Sequence, residues 1–222
     1  MLVLVGCEES QAVCKEFRAL GHEAYSCDLE PCSGGHPEWH LQIDIFEAIK
    51  LKDWDLGLFF PPCTYLSGAG IGWCNVDKYG QKAVERIFKR HKALELVLRL
   101  YYADIPRIAI ENPVGYLSSA FRKPDQVIQP YFFGDDHHKP TCLWLKNLPL
   151  LVHRKQDSLF ELATHSPKPE PMYVHERKSG DSNKIGAVKN RYFTDVFSRQ
   201  ALIRSKTFPG VAKAMAMQWS NL

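Results

Sequence analysis

Residues 55–63 read DLGLFFPPC, an apolar run that ends in two prolines and a cysteine. The run from Asp55 to Phe60 is almost wholly apolar after its first residue, which is typical of a strand buried on both faces of a parallel sheet. Pro61 and Pro62 follow at once. Because proline lacks a backbone N–H and fixes its own φ, the strand must stop there and the next side chain is held in a set direction. The sequence therefore predicts a buried strand that presents Cys63 at its carboxyl end.

Similar apolar runs lie on both sides of this stretch and alternate with helical patterns. The predicted strands are Leu2–Val5 closed by Gly6, His22–Cys27 ending in Asp28, a marginal strand at Ile43–Ile45, Arg107–Ile110 ending in Glu111-Asn112-Pro113, and Thr141–Leu145. The predicted helices are Ser10–Leu20, Phe46–Leu51, Gln81–Tyr102 and Val211–Trp219. Residues 64–80 hold four glycines and predict a long mobile loop. This alternation predicts an α/β fold with a mostly parallel sheet and helices on both faces.

Length and composition predict one main domain, because 222 residues that are 45% hydrophobic can bury one sizeable core. No apolar run reaches the ~20 residues that a bilayer crossing needs. The opening MLVLVG lacks a basic flank and is followed at once by charged residues, which favours a strand over a signal peptide and predicts a cytoplasmic protein without a membrane partner. The seven cysteines are odd in number and irregularly spaced, so we expect reduced thiols.

The net charge of +3 conceals an uneven distribution. Residues 146–206 contain twelve Lys and Arg against six Asp and Glu, so this segment carries +6 and the rest of the chain carries −3. A basic segment beside a nearly neutral core fits a polyanionic partner, although a solvated surface segment would have the same composition.

Four predicted strands end in residues that can do chemistry, and the carboxyl ends of parallel strands meet at one edge of a sheet. A small residue at Gly6 and an acid at Asp28 fit a nucleoside site, but both are also ordinary turn residues. Cys63 is placed as a nucleophile would be, or it is incidental to a rigid strand exit. A carboxyl group near a thiolate favours the protonated form, so Glu111 is a candidate hydrogen-bond donor; otherwise it is a polar strand terminus.

Together these residues resemble the DNA cytosine-5 methyltransferase family, particularly the short forms in phage and prophage genomes. The family's Pro-Cys motif is similar to Pro62-Cys63, and its Glu-Asn motif is similar to Glu111-Asn112, in the same order along the chain. Residues 205–210, SKTFPG, resemble the family's final motif. The resemblance spans Leu2 to about Leu145 and Ile203 to Trp219. It implies a Rossmann-like methyltransferase fold with a short basic insertion, divided into a catalytic core at 1–145, a basic target-recognition-like segment at 146–202 and a returning C-terminal motif at 203–222.

The resemblance also implies a mechanism, an S-adenosylmethionine cofactor and DNA as partner. Cys63 would add to carbon 6 of a flipped cytosine and Glu111 would contact ring N3, while Asn112-Pro113 would stiffen that loop. No residue is assigned as the base that removes the carbon 5 proton. The implied donor contacts are Gly6, Cys7, Glu8, Asp28, Asp44, Ile45 and Pro61. The implied substrate contacts are Pro62, Tyr65, Trp73, Lys139, Thr141, Arg177 and Lys178, with the glycine-rich loop closing behind the flipped base.

The sequence departs from the family at several points. Its first loop reads VGCEES without the family's second and third glycines, so a modified sulfonium donor is an alternative. The family's Gln-Arg-Arg motif has only Lys139 and Thr141 at the nearest position. The basic segment is short for a target-recognition domain, which predicts short or relaxed sequence preference.

Three other classes of function compete with this interpretation. Cys27, Cys32, His36 and His40 have a spacing that could hold structural zinc, although only three residues separate the second Cys from the first His. A Cys-dependent hydrolase would need a His poised as base, and only loop residues such as His137 and His153 follow predicted strands. A protein that keeps the fold but has lost the activity would be a DNA-binding decoy.

Overall fold

A computed structural model of the chain describes residues 1–153, 168–169 and 207–222. Seven strands form one sheet in the order β3-β2-β1-β4-β5-β7-β6. Their bounds are β1 (Leu2–Gly6), β2 (Glu23–Cys27), β3 (His40–Leu41), β4 (Leu56–Phe59), β5 (Ile108–Pro113), β6 (Gln126–Ile128) and β7 (Thr141–Lys146).

The first five strands are parallel, whereas β7 runs antiparallel to both β5 and β6. The order departs from the dinucleotide-binding order 3-2-1-4-5-6 only because β7 is inserted between β5 and β6. The chain therefore has a Rossmann-like fold, and the predicted α/β class with a mostly parallel sheet is confirmed.

Six α-helices are present in the described part of the chain. They are α1 (Ala12–Ala19), α2 (Ile45–Leu51), α3 (Val76–Tyr79), α4 (Gln81–Tyr101), α5 (Leu117–Ala120) and α6 (Pro209–Trp219). Short 3₁₀ segments lie at Pro37–Trp39, Gly68–Cys74 and Pro130–Phe133. No helix in residues 1–153, 168–169 or 207–222 has both the length and the apolar character that crossing a bilayer requires.

Each face of the sheet is covered by a separate apolar cluster, because successive side chains of a strand point to opposite faces. Val3 and Val5 face α1 and α6, where the fully buried Phe17 and Trp219 lie in the same cluster. Leu4 faces the other side, which α2, α4 and α5 cover. The expected helices on both faces are therefore present.

The element boundaries differ from the predictions in three places. The marginal strand expected at Ile43–Ile45 is displaced, since β3 is His40–Leu41 and Ile45 begins α2. The expected long loop at 64–80 instead contains a 3₁₀ segment and α3. The strand predicted to end at Ile110 extends to Pro113, because its last residues pair with β7.

The chain returns to the core through α6, which packs against α1. Asp135 binds the first turn of this helix, since both of its carboxylate oxygens accept hydrogen bonds from the Gly210 backbone N–H, at 3.1 and 3.0 Å. Sequence reasoning did not identify Asp135. The basic segment predicted at 146–202 lies mostly outside the described residues, so its assignment stays a prediction.

Candidate active site

The parallel register places the candidate residues along one edge of the sheet. Gly6 aligns with Cys27 on one side and with Phe59 on the other, and Phe59 aligns with Ile110. The residues that come next along these strands, among them Cys7, Asp28, Phe60 and Glu111, therefore share one level at the carboxyl edge. The strand ends that sequence analysis singled out do converge.

Two carboxylates and a thiol cluster where β1 and β2 end. Cys7 has a left-handed backbone (φ 59°), which turns the chain sharply as it leaves the sheet. Burial raises the pKa of its thiol to about 12, and the neighbouring Asp28, Cys27 and Asp44 add to the rise. The thiol of Cys7 is therefore uncharged at neutral pH, and the negative charge at this end of the site belongs to the two aspartates.

One carboxylate oxygen of each aspartate accepts a hydrogen bond from a nearby backbone N–H. Asp28 Oδ1 accepts from the Glu30 backbone N–H at 3.0 Å, and Asp44 Oδ1 accepts from the Phe46 N–H at 2.8 Å, which caps α2. No hydrogen bond to the second oxygen of either carboxylate arises from residues 1–153, 168–169 or 207–222. These oxygens can accept hydrogen bonds from a ligand such as the hydroxyls of a ribose or an exocyclic amine.

The space beside Gly6 is filled by the protein itself. A Cβ at this position would lie 2.5 Å from Ile45 Cδ1 and 2.7 Å from Phe59 Cδ1. Glycine is therefore required here because two core side chains pack against the end of β1. The approach of a ligand to the backbone of Gly6 stays a prediction, and Ile45 is a buried core residue on this side of the site.

Glu8 and Gln11 hold the loops beside Cys7 and Asp28 in place through side-chain hydrogen bonds. Glu8 is 4% exposed, and its two oxygens accept from the backbone N–H groups of Val13 at 2.7 Å and Cys14 at 3.3 Å at the start of α1. Its side chain is thus committed to the helix, and the donor contact expected of Glu8 is left to its backbone. Burial raises the pKa of Glu8 to about 8, although the hydrogen bonds from the two N–H groups act to lower it.

Gln11 is fully buried and was missed by sequence reasoning. Its Nε2 donates to the His36 carbonyl oxygen at 2.8 Å, and its Oε1 accepts from the His36 N–H at 3.1 Å. The side chain therefore fastens the loop between β2 and β3 to the start of α1. The sequence predicted Gln11 to lie in the first turn of the helix Ser10–Leu20, where a polar residue is ordinarily exposed, so no local signal indicated its burial.

The Pro-Cys segment and the Glu-Asn segment are joined by a buried hydrogen bond. Asn112 is fully buried on β5, and its Nδ2 donates to the Pro61 carbonyl oxygen at 2.8 Å. Pro61 is buried, whereas Pro62 and Cys63 are exposed. The Cys63 carbonyl oxygen accepts from Leu66 and Ser67 at 3.0 and 2.9 Å, so the segment turns back immediately after the cysteine.

Glu111 faces the opposite side of the sheet from Asn112, as alternation along β5 requires. It lines a small pocket of about 20 Å³, together with Pro130, Lys139, Thr141, Thr207, Phe208 and Val211. Burial raises the pKa of Glu111, and the Lys139 ammonium and a hydrogen bond with Thr141 oppose this rise without cancelling it. The protonated form of Glu111 is thus favoured relative to an exposed glutamate, and Lys139 and Thr141 lie beside it.

The segment after Cys63 is held by two arginines of α4. Arg86 Nη2 donates to the Thr64 carbonyl oxygen at 3.0 Å, and Arg90 Nε donates to that of Tyr65 at 3.3 Å. Both arginines also donate to the Gly70 carbonyl oxygen. Tyr65 and the 57% exposed Trp73 line a pocket of their own on this side. Arg177 and Lys178 lie outside the described residues.

The residues proposed for zinc do not gather into a site. Within the described ranges, no group of three or more His, Cys, Asp or Glu could hold a metal ion. Each of the four candidates has another partner: Cys27 Sγ contacts the Ile43 carbonyl oxygen, Cys32 Sγ contacts Gln11 Oε1, the His36 ring stacks on Trp39, and His40 contacts Ser26. The histidines considered for a hydrolase pack on aromatic rings, His137 on Phe208 and His153 on Phe132.

Comparison with known proteins gives little beyond the fold. No family model matches the chain, and no curated protein matches it. A solved structure described as a DNA modification methyltransferase encoded within a prophage of E. coli aligns with a TM-score of 0.41 and 11% sequence identity. The alignment covers 65% of this chain and 46% of that one, so this chain spans less than half of that protein. A likeness of this size assigns no function.

Proposed function

We propose that this protein transfers a methyl group from S-adenosylmethionine to carbon 5 of cytosine in DNA, through a covalent adduct of Cys63. The observation that carries the proposal is the 2.8 Å hydrogen bond from Asn112 to the Pro61 carbonyl oxygen. It ties the segment that bears the exposed Cys63 to the strand that bears Glu111, whose pKa is raised by desolvation. A nucleophile and a carboxyl group with a raised pKa thereby belong to one edge of the sheet.

The carboxylates of Asp28 and Asp44 fit a ligand that joins a nucleoside to a positively charged sulfonium group. Asp28 and Asp44 each have one carboxylate oxygen without a hydrogen bond from the described residues, and they lie close enough to Cys7 to raise the pKa of its thiol. Asp28 would accept from the ribose hydroxyls and Asp44 from the adenine amine, while Ile45 and Pro61 would provide apolar walls. When bound, S-adenosylmethionine supplies an electrophilic methyl group.

Cys63 and Glu111 activate carbon 5 of the cytosine for methyl transfer. The Cys63 thiolate forms a bond to carbon 6, and the electron pair of the 5,6 double bond moves into the ring, which makes carbon 5 nucleophilic. Glu111 donates a hydrogen bond at ring N3, where negative charge develops, and its raised pKa supports that role. After transfer, the carbon 5 proton leaves to solvent, the double bond re-forms and the thiolate departs.

The reacting cytosine must leave the duplex, because neither face of a stacked base is open to a thiolate. Pro62 and Cys63 are exposed and so accessible to a flipped base. Lys139 and Thr141 lie beside Glu111 and would contact the polar edge of the base. Arg177 and Lys178 are proposed to contact phosphates.

The test compares wild-type protein with Cys63→Ser. Serine keeps the volume but is a far poorer nucleophile at neutral pH, so modification should be abolished while the melting temperature barely moves. DNA that contains 5-fluorocytosine should trap a covalent adduct with the wild type only, because fluorine cannot leave carbon 5 as a proton would. Nucleoside mass spectrometry of the modified DNA identifies the transferred group.

Cys74→Ser is the matched control, since Cys74 lies in the neighbouring 3₁₀ segment and is part of no proposed step. It should retain both activity and adduct formation. If Cys63→Ser retained substantial activity, or active wild type formed no adduct, the covalent mechanism would be refuted. A nucleoside mass that differs from that of 5-methylcytosine would point to a modified donor.

A further inference from the structure

A second pocket, distinct from the Glu111 pocket, lies between the segment after Cys63 and the first turns of α4. Its volume is about 340 Å³, which falls within the ~300–1,000 Å³ typical of ligand sites. It is lined by Tyr65, Trp73, Tyr79, Lys82, Arg86 and Lys89, together with Glu85. We refer to this as the α4 pocket. Three aromatic rings and three cations line this one cavity. A nucleotide fits such a lining, because its base can stack on the rings and its phosphate can contact the cations.

The aromatic rings of the α4 pocket provide stacking surfaces. The centroids of Trp73 and Tyr79 lie 5.0 Å apart, with their planes inclined by 31°, and 57% of the Trp73 surface remains exposed. Large aromatic residues are normally buried, since exposing them costs hydrophobic free energy. An exposed indole braced by a tyrosine is the arrangement on which an unpaired nucleobase stacks.

The three cationic side chains of the α4 pocket differ in their contacts. Arg86 is engaged, because it donates to the Thr64 and Gly70 carbonyl oxygens and lies 5.1 Å from the Tyr65 ring centroid. Lys82 and Lys89 are exposed, and neither forms an ion pair with any residue that the structure describes. Lys89 Nζ lies 5.9 Å from the Tyr65 ring centroid, and both ammonium groups can reach phosphate oxygens because their side chains are exposed. Glu85 is one negative charge against three positive ones, so the pocket has a net positive charge.

The position of the α4 pocket relates it to the nucleophile. Tyr65 is two residues from Cys63, and Arg86 fastens Thr64, the residue between them. We propose that the α4 pocket binds an unpaired nucleotide of the DNA strand next to the reacting cytosine. The base stacks on Trp73 and Tyr79, and the phosphates on either side contact Lys82 and Lys89.

This inference rests on the proposed function, because it takes the substrate to be a DNA strand with a flipped cytosine. It goes further in two respects. Tyr65 and Trp73 would hold a neighbouring nucleotide instead of closing behind the flipped base. The enzyme would also prefer a site in which the neighbouring base is unpaired, since the faces of a base inside a duplex are covered by the adjacent base pairs and cannot stack on Trp73.

The experiment measures binding, which does not depend on methyl transfer. Fluorescence anisotropy reports the affinity of a labelled single-stranded DNA oligonucleotide with one cytosine, and of the same sequence as a duplex. Trp73→Ala should weaken single-strand binding roughly tenfold or more, and Trp73→Phe should restore most of it. The double variant Lys82→Ala/Lys89→Ala should reduce the slope of log affinity against log salt by about 1.4, for two phosphates at ~0.7 each on a single strand.

Matched controls come from exposed residues outside the pocket. Phe88 is 67% exposed on α4 and Lys92 is exposed on the same helix, and neither lines the α4 pocket. Phe88→Ala should leave the affinity unchanged, and Lys92→Ala combined with Lys123→Ala should change the salt slope less than the pocket pair does. A circular dichroism melt of each variant confirms that it is folded.

A series of oligonucleotides with one abasic sugar at successive positions locates the stacked base. The wild type should lose affinity at one position beside the cytosine, and Trp73→Ala should be insensitive at that same position. If the wild type binds DNA and the pocket variants bind as well as the controls, the pocket assignment is refuted while the proposed function stands. If the wild type binds neither single-stranded nor duplex DNA, both fail.

Discussion

The buried carboxyl group of Glu8 makes the stability of this protein depend on pH in a defined direction. Burial raises the pKa of Glu8 from 4.5 to about 8 in the folded chain. Between these two values the folded state holds a proton that the unfolded state has released. The free energy of unfolding therefore falls as pH rises, by ~1.4 kcal/mol per pH unit. The contribution of Glu8 is fully present below pH 4.5, and its loss is complete above about pH 8.

The substitution Glu8→Gln removes the titration while retaining an acceptor for the Val13 N–H, which Glu8 bonds at 2.7 Å. The longer bond to the Cys14 N–H, at 3.3 Å, is lost because an amide nitrogen cannot accept it. We expect the variant to be about 1 kcal/mol less stable than the wild type at pH 5. Between pH 5 and pH 9 the wild type should lose about 4 kcal/mol relative to the variant, so their order reverses.

Urea denaturation at pH 5, 7 and 9, followed by tryptophan fluorescence, measures this difference, because Trp144 and Trp219 are fully buried. Glu95→Gln, at an exposed position of α4, controls for the loss of one negative charge and should follow the wild type at every pH. A gap between wild type and Glu8→Gln that stays constant from pH 5 to pH 9 would show that Glu8 ionises in the folded chain as it does in water, and the reasoning would be wrong.

Two further predictions concern the donor side and the link between the two motifs. Asp28→Ala and Asp44→Asn (the latter keeps the α2 cap) should weaken S-adenosylmethionine binding roughly ten- to a hundredfold by calorimetry, because a hydrogen bond to a charged group is worth ~1.5–3 kcal/mol. The exposed control Asp53→Ala should not, and unchanged affinity in both site variants would place the donor elsewhere. Asn112→Ala should cost about 2–4 kcal/mol of stability by urea denaturation and lower the modification rate, since it breaks the buried bond to Pro61; a stable variant with full activity would contradict the importance of that link.

The fold agrees with the sequence-based prediction where the local sequence allows only one secondary structure. Asp55 to Phe60 had to form a buried strand that stops at Pro61, and β4 spans Leu56–Phe59. The short strand β6 at Gln126–Ile128 was missed, because three residues carry too little pattern to separate strand from loop. It forms because β7 offers it a partner, which is a long-range contact.

The candidate site likewise combines residues that the sequence predicted with an arrangement that depends on long-range contacts. Residue type and position after a predicted strand indicated Cys63, Glu111 and Asp28, but nothing local distinguished them from turn residues. Asp44 was implied by the family resemblance alone. The sequence predicted that the strand ends share one edge of the sheet, and the register of four parallel strands shows which residues lie at the same level of that edge.

The sequence by itself determined the α/β class, the positions of the main strands along the chain and the residue types at their carboxyl ends, because apolar periodicity and proline chemistry act over a few residues. Tertiary structure alone decided that Glu8 caps α1, that Gly6 makes room for Ile45 and Phe59, and that Asn112 reaches Pro61. Asn112 and Pro61 are 51 positions apart, and no local pattern encodes which distant group a buried polar side chain will meet. That choice depends on how helices and strands pack, since a buried donor or acceptor must find whatever partner the completed core brings within reach.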